Sequence, residues 1–380
     1  MNDIKQKSLD FHAKYPGKIQ LTGKFPLDTP EDLGMVYTPG MAFPCMEIAE
    51  DKSKAWDYTM KGRSVAIITD GTAVLGFGDI GPEAAIPVME GKAMVFKRFA
   101  DIDAFPLCIG TTDPDEIIKF CKYLEPTFAG IHLEDIKAPE CFYIEKKLQE
   151  ILNIPVFHDD QWGTAIVALS GLINALKVVS KKIEEVKIVI SGAGAAGIAI
   201  AKILVEFGAR NVILLDSVGA INKVRTDLNE FKNEILASTN PNNEAGSLEE
   251  VIKGADVFMG VSREGLLSQD MVRSMNSQAI VFAMANPVPE IMPPLAIEAG
   301  AAVVATGRAD FPNQVNNVLA FPGVFRGLID NRAQKLTLDM MVKAAVGLAG
   351  LIKDPRADYI IPGAFDEGVC EAVAGAMGAL

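Results

Sequence analysis

Carboxylates come in two adjacent pairs, Glu134-Asp135 and Asp159-Asp160, and each pair closes an apolar run of strand length, 128–133 and 154–157. Between them, 139–152 carries Phe142, Ile144, Leu148, Ile151 and Leu152 at near-helical spacing. The pattern predicts a βαβ crossover with both acid pairs at the carboxyl ends of neighbouring parallel strands. Open α/β sheets bind ligands at those ends, and three or four oxygens converging there suit a hard divalent cation such as Mg²⁺ or Mn²⁺. Each acid alone has a plainer use, since Asp160 can cap the helix expected from about Gln161, and Glu134 and Asp135 can be loop acids. The doubling of the pattern favours the metal.

A second constellation begins at a strand, 186–191, followed by Gly192-Ala193-Gly194-Ala195-Ala196-Gly197, an amphipathic helix over 198–207 and a strand over 211–215 that ends at Asp216. This is a dinucleotide fingerprint in its required context. Gly192 makes the turn, Gly194 lets a pyrophosphate approach, Gly197 allows the helix close to the strand, and Asp216 would hold ribose hydroxyls. Glycines at 76, 78 and 81 match the same spacing, but no helix opens before Pro82, so a tight turn lining a substrate pocket is the expectation there. Asn286, before Pro287, and Asn317, in the loop 313–317, stand where strand ends could face cofactor and substrate, although asparagine before a turn is common for backbone reasons.

These groups need a scaffold, and alternating strand and helix patterns supply an α/β one. The expected order is an N-terminal α/β substrate and metal domain, 1–160, and a Rossmann-type doubly wound parallel-sheet domain, 161–380. A long helix over 161–182 bridges them, and a tail from about 340 is expected to pack back on the first domain. A helix over 83–100 puts Met89, Ala93, Phe96 and Ala100 on one stripe. Lys92 flanks that stripe, where snorkelling is the plain reading and a half-buried general base the functional one. Tyr37, before the Pro39-Gly40 turn, reads as a half-buried aromatic tying down a loop. The first thirty residues read as a helical arm docked on the fold or on a second subunit.

Lys plus Arg is 36 and Asp plus Glu 49, for a formal charge of −13, which disfavours nucleic acid and anionic membrane surfaces as partners. Five widely spaced cysteines without a CxxC pair indicate a reducing compartment. With no apolar signal core and no membrane span in the sequence, a cytoplasmic protein is expected.

Several motifs occur in one order: YTPG at Tyr37, DGTAVLGFGDIG at Asp70, EGKAM at Glu90, HLEDIKAPECF at His132, FHDDQWGTA at Phe157, the GAGAAG loop, MANPVPEI at Met284 and PNQVNNVLAFPG at Pro312. Together they resemble the short, bacterial type of malic enzyme. The resemblance implies oxidation and decarboxylation of L-malate to pyruvate and CO₂ with NAD or NADP and Mg²⁺ or Mn²⁺. It implies Glu134, Asp135 and Asp160 as metal ligands, Asp159 as a neighbouring carboxylate, Lys92 as general base, Tyr37 as general acid, Asn286 and Asn317 as cofactor or substrate contacts, and a homodimer. Trp162 stands where the family pattern HDDQHGTA has histidine, and 72–74 lacks the substrate-binding arginine of larger relatives. Asp216 points to NAD, while Ser217, Lys223 and Arg225 lie close enough to admit NADP. A metal-dependent oxaloacetate decarboxylase and a non-catalytic NAD-sensing module are the rival readings.

Overall fold

Residues 2–74 and 77–378 are described by the computed structural model of the chain, so Leu75 and Gly76 of the glycine-rich turn lie outside the described residues. Four strands, β1 (Ser64–Thr69), β2 (Asp103–Cys108), β3 (Gly130–Leu133) and β4 (Val156–His158), form a parallel sheet in the order β2-β1-β3-β4. Every residue of the apolar run SVAIIT in β1 is buried, as in a parallel strand covered on both faces. β2 escaped the sequence reading because Pro106 interrupts it; at the sheet edge a missing N–H is tolerated.

The helix Pro82–Ala100 crosses from β1 to β2 and buries the expected stripe, Met89, Ala93, Phe96 and Ala100, together with Ala85. Pro82 in its first turn loses no intrahelical bond, and Asp101 in the left-handed region (φ 52°) ends it. The helix Glu140–Ile151 links β3 to β4, as the crossover pattern requires.

A second sheet holds β5 (Lys187–Ser191), β6 (Asn211–Asp216), β7 (Gly219–Ala220), β8 (Val257–Gly260), β9 (Ala279–Ala283) and β10 (Ala301–Thr306), in the order β10-β9-β8-β5-β6-β7. Only the two-residue edge strand β7 runs antiparallel. Strand order reverses between β5 and β8, the crevice where doubly wound sheets take nucleotides. The loop beyond β5 is shaped by close approach. A Cβ on Gly192 (φ 119°) would lie 2.7 Å from Val261 O, and one on Gly197 1.8 Å from Gly192 O.

Joining the sheets is the helix Asp159–Val178, whose first turn begins where β4 ends. It is buried along most of its length and packs on the helices Ala195–Glu206 and Leu338–Ala349. The helix Phe321–Asp330 returns to the first sheet: the Phe325 ring fills the space a Cβ on Gly130 would take, and Arg326 Nη1 donates to Ala100 O at 3.2 Å. Phe96, Phe157, Phe282, Phe321 and Phe325 therefore share one hydrophobic core spanning both sheets.

The N-terminal arm is different in kind. The helices Pro30–Val36 and Ala42–Glu50 bury no residue, and Leu21, Phe25 and Phe43 are 85%, 76% and 73% exposed. Lys18 ties the arm to the body, its N–H donating to Glu90 Oε2 at 3.2 Å and its Nζ to Pro87 O at 2.6 Å. The five cysteines are free thiols, and no helix among the described residues is long and apolar enough to cross a membrane.

Candidate active site

β3 and β4 pair with Leu133 opposite His158, so Glu134-Asp135 and Asp159-Asp160 leave the sheet side by side. Glu134, Asp135 and Asp160 each offer a carboxylate oxygen within 4.8 Å of the others. Asp135 takes a left-handed conformation (φ 53°), and its N–H donates to Asp160 Oδ2 at 2.9 Å, which locks the two strand ends together. Asp160 lies within the first turn of its helix, whose N-cap is His158, so it is not the cap residue.

Lys92 enters from the helix Pro82–Ala100. Its Nζ contacts Asp159 Oδ2, lies 3.1 Å from Glu134 Oε1 and sits 4.6 Å from the centre of the Phe321 ring. This replaces the snorkelling expectation, because the surface beside the stripe is covered by the strand ends and by Phe321. Asp159 also receives the Asn317 amide, so one buried carboxylate joins a residue of the first sheet's helix to the loop beyond β10.

Four acids face one lysine here, and that imbalance sets the charge states. Burial would lower the Lys92 pKa, but Asp159 and Glu134 outweigh it and hold the ammonium above its usual range. Burial pushes Glu134 and Asp159 up despite Lys92, and Asp160 up to about 6. Excess negative charge in a buried cluster of hard oxygens is what a divalent cation relieves, so the residues present fit Mg²⁺ or Mn²⁺.

Two histidines escaped the sequence reading. His132 Nε2 lies 2.6 Å from Glu134 Oε2, and burial among Phe96, Phe157, Phe321 and Phe325 lowers its pKa to about 3. A neutral ring donating from Nε2 orients Glu134 and leaves Oε1 toward Lys92. His158, held neutral by burial, stands 3.6 Å from Asp160 Oδ2. The signal was present: a histidine at or next to the last residue of a strand stands two residues before an acid, twice.

A cleft of about 610 Å³ runs between the sheets, lined by Lys92, Glu134, Asp135, Asp160, Asn286 and Asn317. Ala195 and Ala196 of the glycine-rich loop also face it, whereas Gly192, Ala193 and Gly194 line a second cavity of about 560 Å³ together with Asp216. The loop thus stands between two compartments, as a bound dinucleotide requires, with Gly197 buried beneath it.

Two sequence expectations meet different surroundings. Tyr37 is 61% exposed on the arm and does not line the cleft, so it is not a half-buried loop anchor. Asp216 is already engaged: Oδ1 accepts Arg225 Nη1 at 2.7 Å and Val218 N at 2.9 Å, and Oδ2 accepts Lys232 Nζ at 2.7 Å and Arg225 Nη2 at 3.0 Å. Burial opposes its ionisation, yet these donors hold its pKa far below the usual range.

Comparison with known proteins agrees with this architecture. The family model for the malic enzyme N-terminal domain matches residues 17–149, and that for the malic enzyme NAD binding domain matches 162–363. A bifunctional malic/malolactic enzyme of Bacillus subtilis is 53% identical over 98% of this chain and 92% of its own length. An NAD-dependent malic enzyme of Geobacillus stearothermophilus is 55% identical over 94% of this chain and 75% of its own. The crystal structure of the NAD-dependent malic enzyme of Thermotoga maritima superposes with a TM-score of 0.95 at 48% identity, covering 98% of both chains. With both halves of the chain matched, the protein belongs to the malic enzyme family.

Proposed function

We propose that the chain converts L-malate to pyruvate and CO₂ while reducing NAD or NADP, in the cleft between its two sheets. The observation that carries this reading is the placement of Lys92 between Asp159 and Glu134, at the edge of the three-acid cluster and in the same cleft as Asn286, Asn317 and the phosphate-binding loop. Glu134, Asp135 and Asp160 would hold Mg²⁺ or Mn²⁺, which when bound acidifies the malate hydroxyl and draws off negative charge as CO₂ leaves.

Lys92 takes the hydroxyl proton. As found, its acidic neighbours hold it protonated, so service as a base requires that positive charge be supplied to Glu134 and Asp159 from elsewhere in the site. Asp159 fixes the lysine in place and is itself fixed by Asn317. Asn286 and Asn317 offer amides to the nicotinamide end of the cofactor and to malate.

Tyr37 serves as the acid that delivers a proton to C3 after decarboxylation, and it does so from a second subunit. Its exposure on an arm whose apolar side chains find no cover within one chain supports a homodimer in which each arm reaches the partner's cleft. NAD is the preferred nucleotide, with NADP admitted because Arg225 and Lys232 offset the charge of Asp216. The Bacillus subtilis relative is named for a malolactic activity as well, which makes lactate the second product to look for.

The test is a stopped assay with L-malate, Mn²⁺ and either nucleotide, repeated with a chelator, in which pyruvate and lactate are both quantified. Pyruvate that forms with Mn²⁺ and stops with the chelator is expected. Undiminished pyruvate in the chelator would remove the metal from the reading.

A further inference from the structure

Glu145 lies on the helix Glu140–Ile151, 5% exposed, and no cation among the described residues hydrogen-bonds to it. Its carboxylate is nevertheless fully used. Oε1 accepts the backbone N–H of His158 at 3.3 Å and the indole N–H of Trp162 at 2.8 Å, and Oε2 accepts the Gln161 amide at 2.9 Å. The three donors bracket Asp159 and Asp160.

Packing gives no reason for a carboxylate here. The neighbouring buried positions of the same helix are Cys141, Phe142, Ile144 and Leu148, and an apolar side chain at 145 would avoid desolvating a charge. The helix Asp159–Val178 has no side-chain cap of its own, so its first turn, which carries both acids, depends on something outside it for its orientation. Glu145 reaches that turn from the adjacent helix, and it engages positions 158, 161 and 162 without touching 159 or 160, whose carboxylates stay directed toward Lys92 and the cluster.

We infer that Glu145 is the positioning residue of the cation site: it clamps the turn 158–162 so that Asp160 meets Glu134 and Asp135 within one coordination sphere. The inference rests on the proposed cation site and adds the residue that sets its geometry. It also gives Trp162 a role, since the indole N–H makes one of the three bonds and places a tryptophan two residues from Asp160.

The test titrates the purified full-length chain with Mn²⁺ by calorimetry, without malate or nucleotide, and reads NADH affinity and the thermal midpoint of each variant in parallel. Glu145→Gln keeps the volume but turns an NH₂ toward one of the donors. It is expected to weaken Mn²⁺ binding by roughly tenfold, the lower end of what losing a direct partner of a metal ligand costs, because Glu145 acts through positions 158, 161 and 162, with NADH affinity within about twofold of wild type as a purely local effect would leave it. Trp162→Phe, which deletes a single donor, is expected to weaken Mn²⁺ by less, and Trp162→His, whose imidazole N–H can replace the indole, to recover part of that loss. The Trp162 emission in a Trp56→Phe background should shift on Mn²⁺ addition and cease to shift once Glu145 is Gln.

A folded Glu145→Gln protein that binds Mn²⁺ within about twofold of wild type would overturn the inference, since a clamp that sets the geometry of Asp160 predicts roughly a tenfold loss. If that variant does not fold, equal Mn²⁺ affinities for wild type, Trp162→Phe and Trp162→His would overturn it instead. Absence of Mn²⁺ binding by the wild-type chain would bring down the cation reading itself, which separates the two failures.

Discussion

Lys92 and Asp159 form an ion pair with side chains 13% and 0% exposed, between a helix of the first sheet and the turn that opens the helix linking both sheets. Breaking a buried pair strands the remaining charge. Lys92→Met should abolish turnover, on the order of 10²- to 10⁴-fold for the loss of a proton-transfer group, and destabilise the fold by about 3–5 kcal/mol through unpaired Asp159. Steady-state kinetics with a parallel denaturant titration checks both, and NADH binding should persist because the second cavity is untouched.

Tyr37 offers a sharper test of assembly. Tyr37→Phe and Lys92→Met should each be inactive as homodimers, and mixing them with exchange of subunits should restore activity, because one mixed cleft combines an intact Tyr37 from one chain with an intact Lys92 from the other. No recovery on mixing, in dimers shown to have exchanged, would place Tyr37 in its own chain's site.

The proposed basis of nucleotide choice is the Asp216 cluster. Arg225 and Lys232 share its two oxygens, so Arg225→Gln should leave Lys232 as the one cation bonded to that carboxylate and make the site more negative toward a 2′-phosphate. The ratio of kcat/KM for NAD over NADP should rise by about tenfold or more, on the basis that a lost charge-assisted bond to phosphate is worth about 1.5–3 kcal/mol. Measured ratios that do not change would remove Arg225 from the discrimination.

Gly163 lies one turn into the helix after Asp159, and a Cβ there would fall 1.9 Å from Asp159 Oδ1 and 2.9 Å from Asn317 Cβ. Gly163→Ala should therefore push Asp159 off Lys92 and cost about 1–3 kcal/mol as overpacking. Thermal unfolding and malate turnover should both fall, whereas Gly91→Ala, with open space around it, should leave both near wild type.

Much of this site could be read in the sequence because it obeys local rules. Acids after apolar runs fixed the neighbouring strand ends, and the GAGAAG loop with Asp216 placed the nucleotide half, since both patterns sit within a single crossover. What stayed hidden was decided at long range. Lys92 reads as a border lysine until Phe321, more than two hundred residues on, covers it. That Asp216 is paired with Arg225 and Lys232 does not show in its place at a strand end. β2 was masked by Pro106, which only an edge position excuses. Glu145 carries no motif of its own, and its use appears when burial leaves it with one set of partners.

The most direct measurement of the central claim is the molar ratio of reduced nucleotide to pyruvate formed from L-malate by the purified chain with Mn²⁺ and NAD. Oxidation coupled to decarboxylation predicts equal amounts of the two. Pyruvate from oxaloacetate without nucleotide reduction from malate would indicate a decarboxylase, and reduced nucleotide without pyruvate a simple dehydrogenase; either would contradict the account.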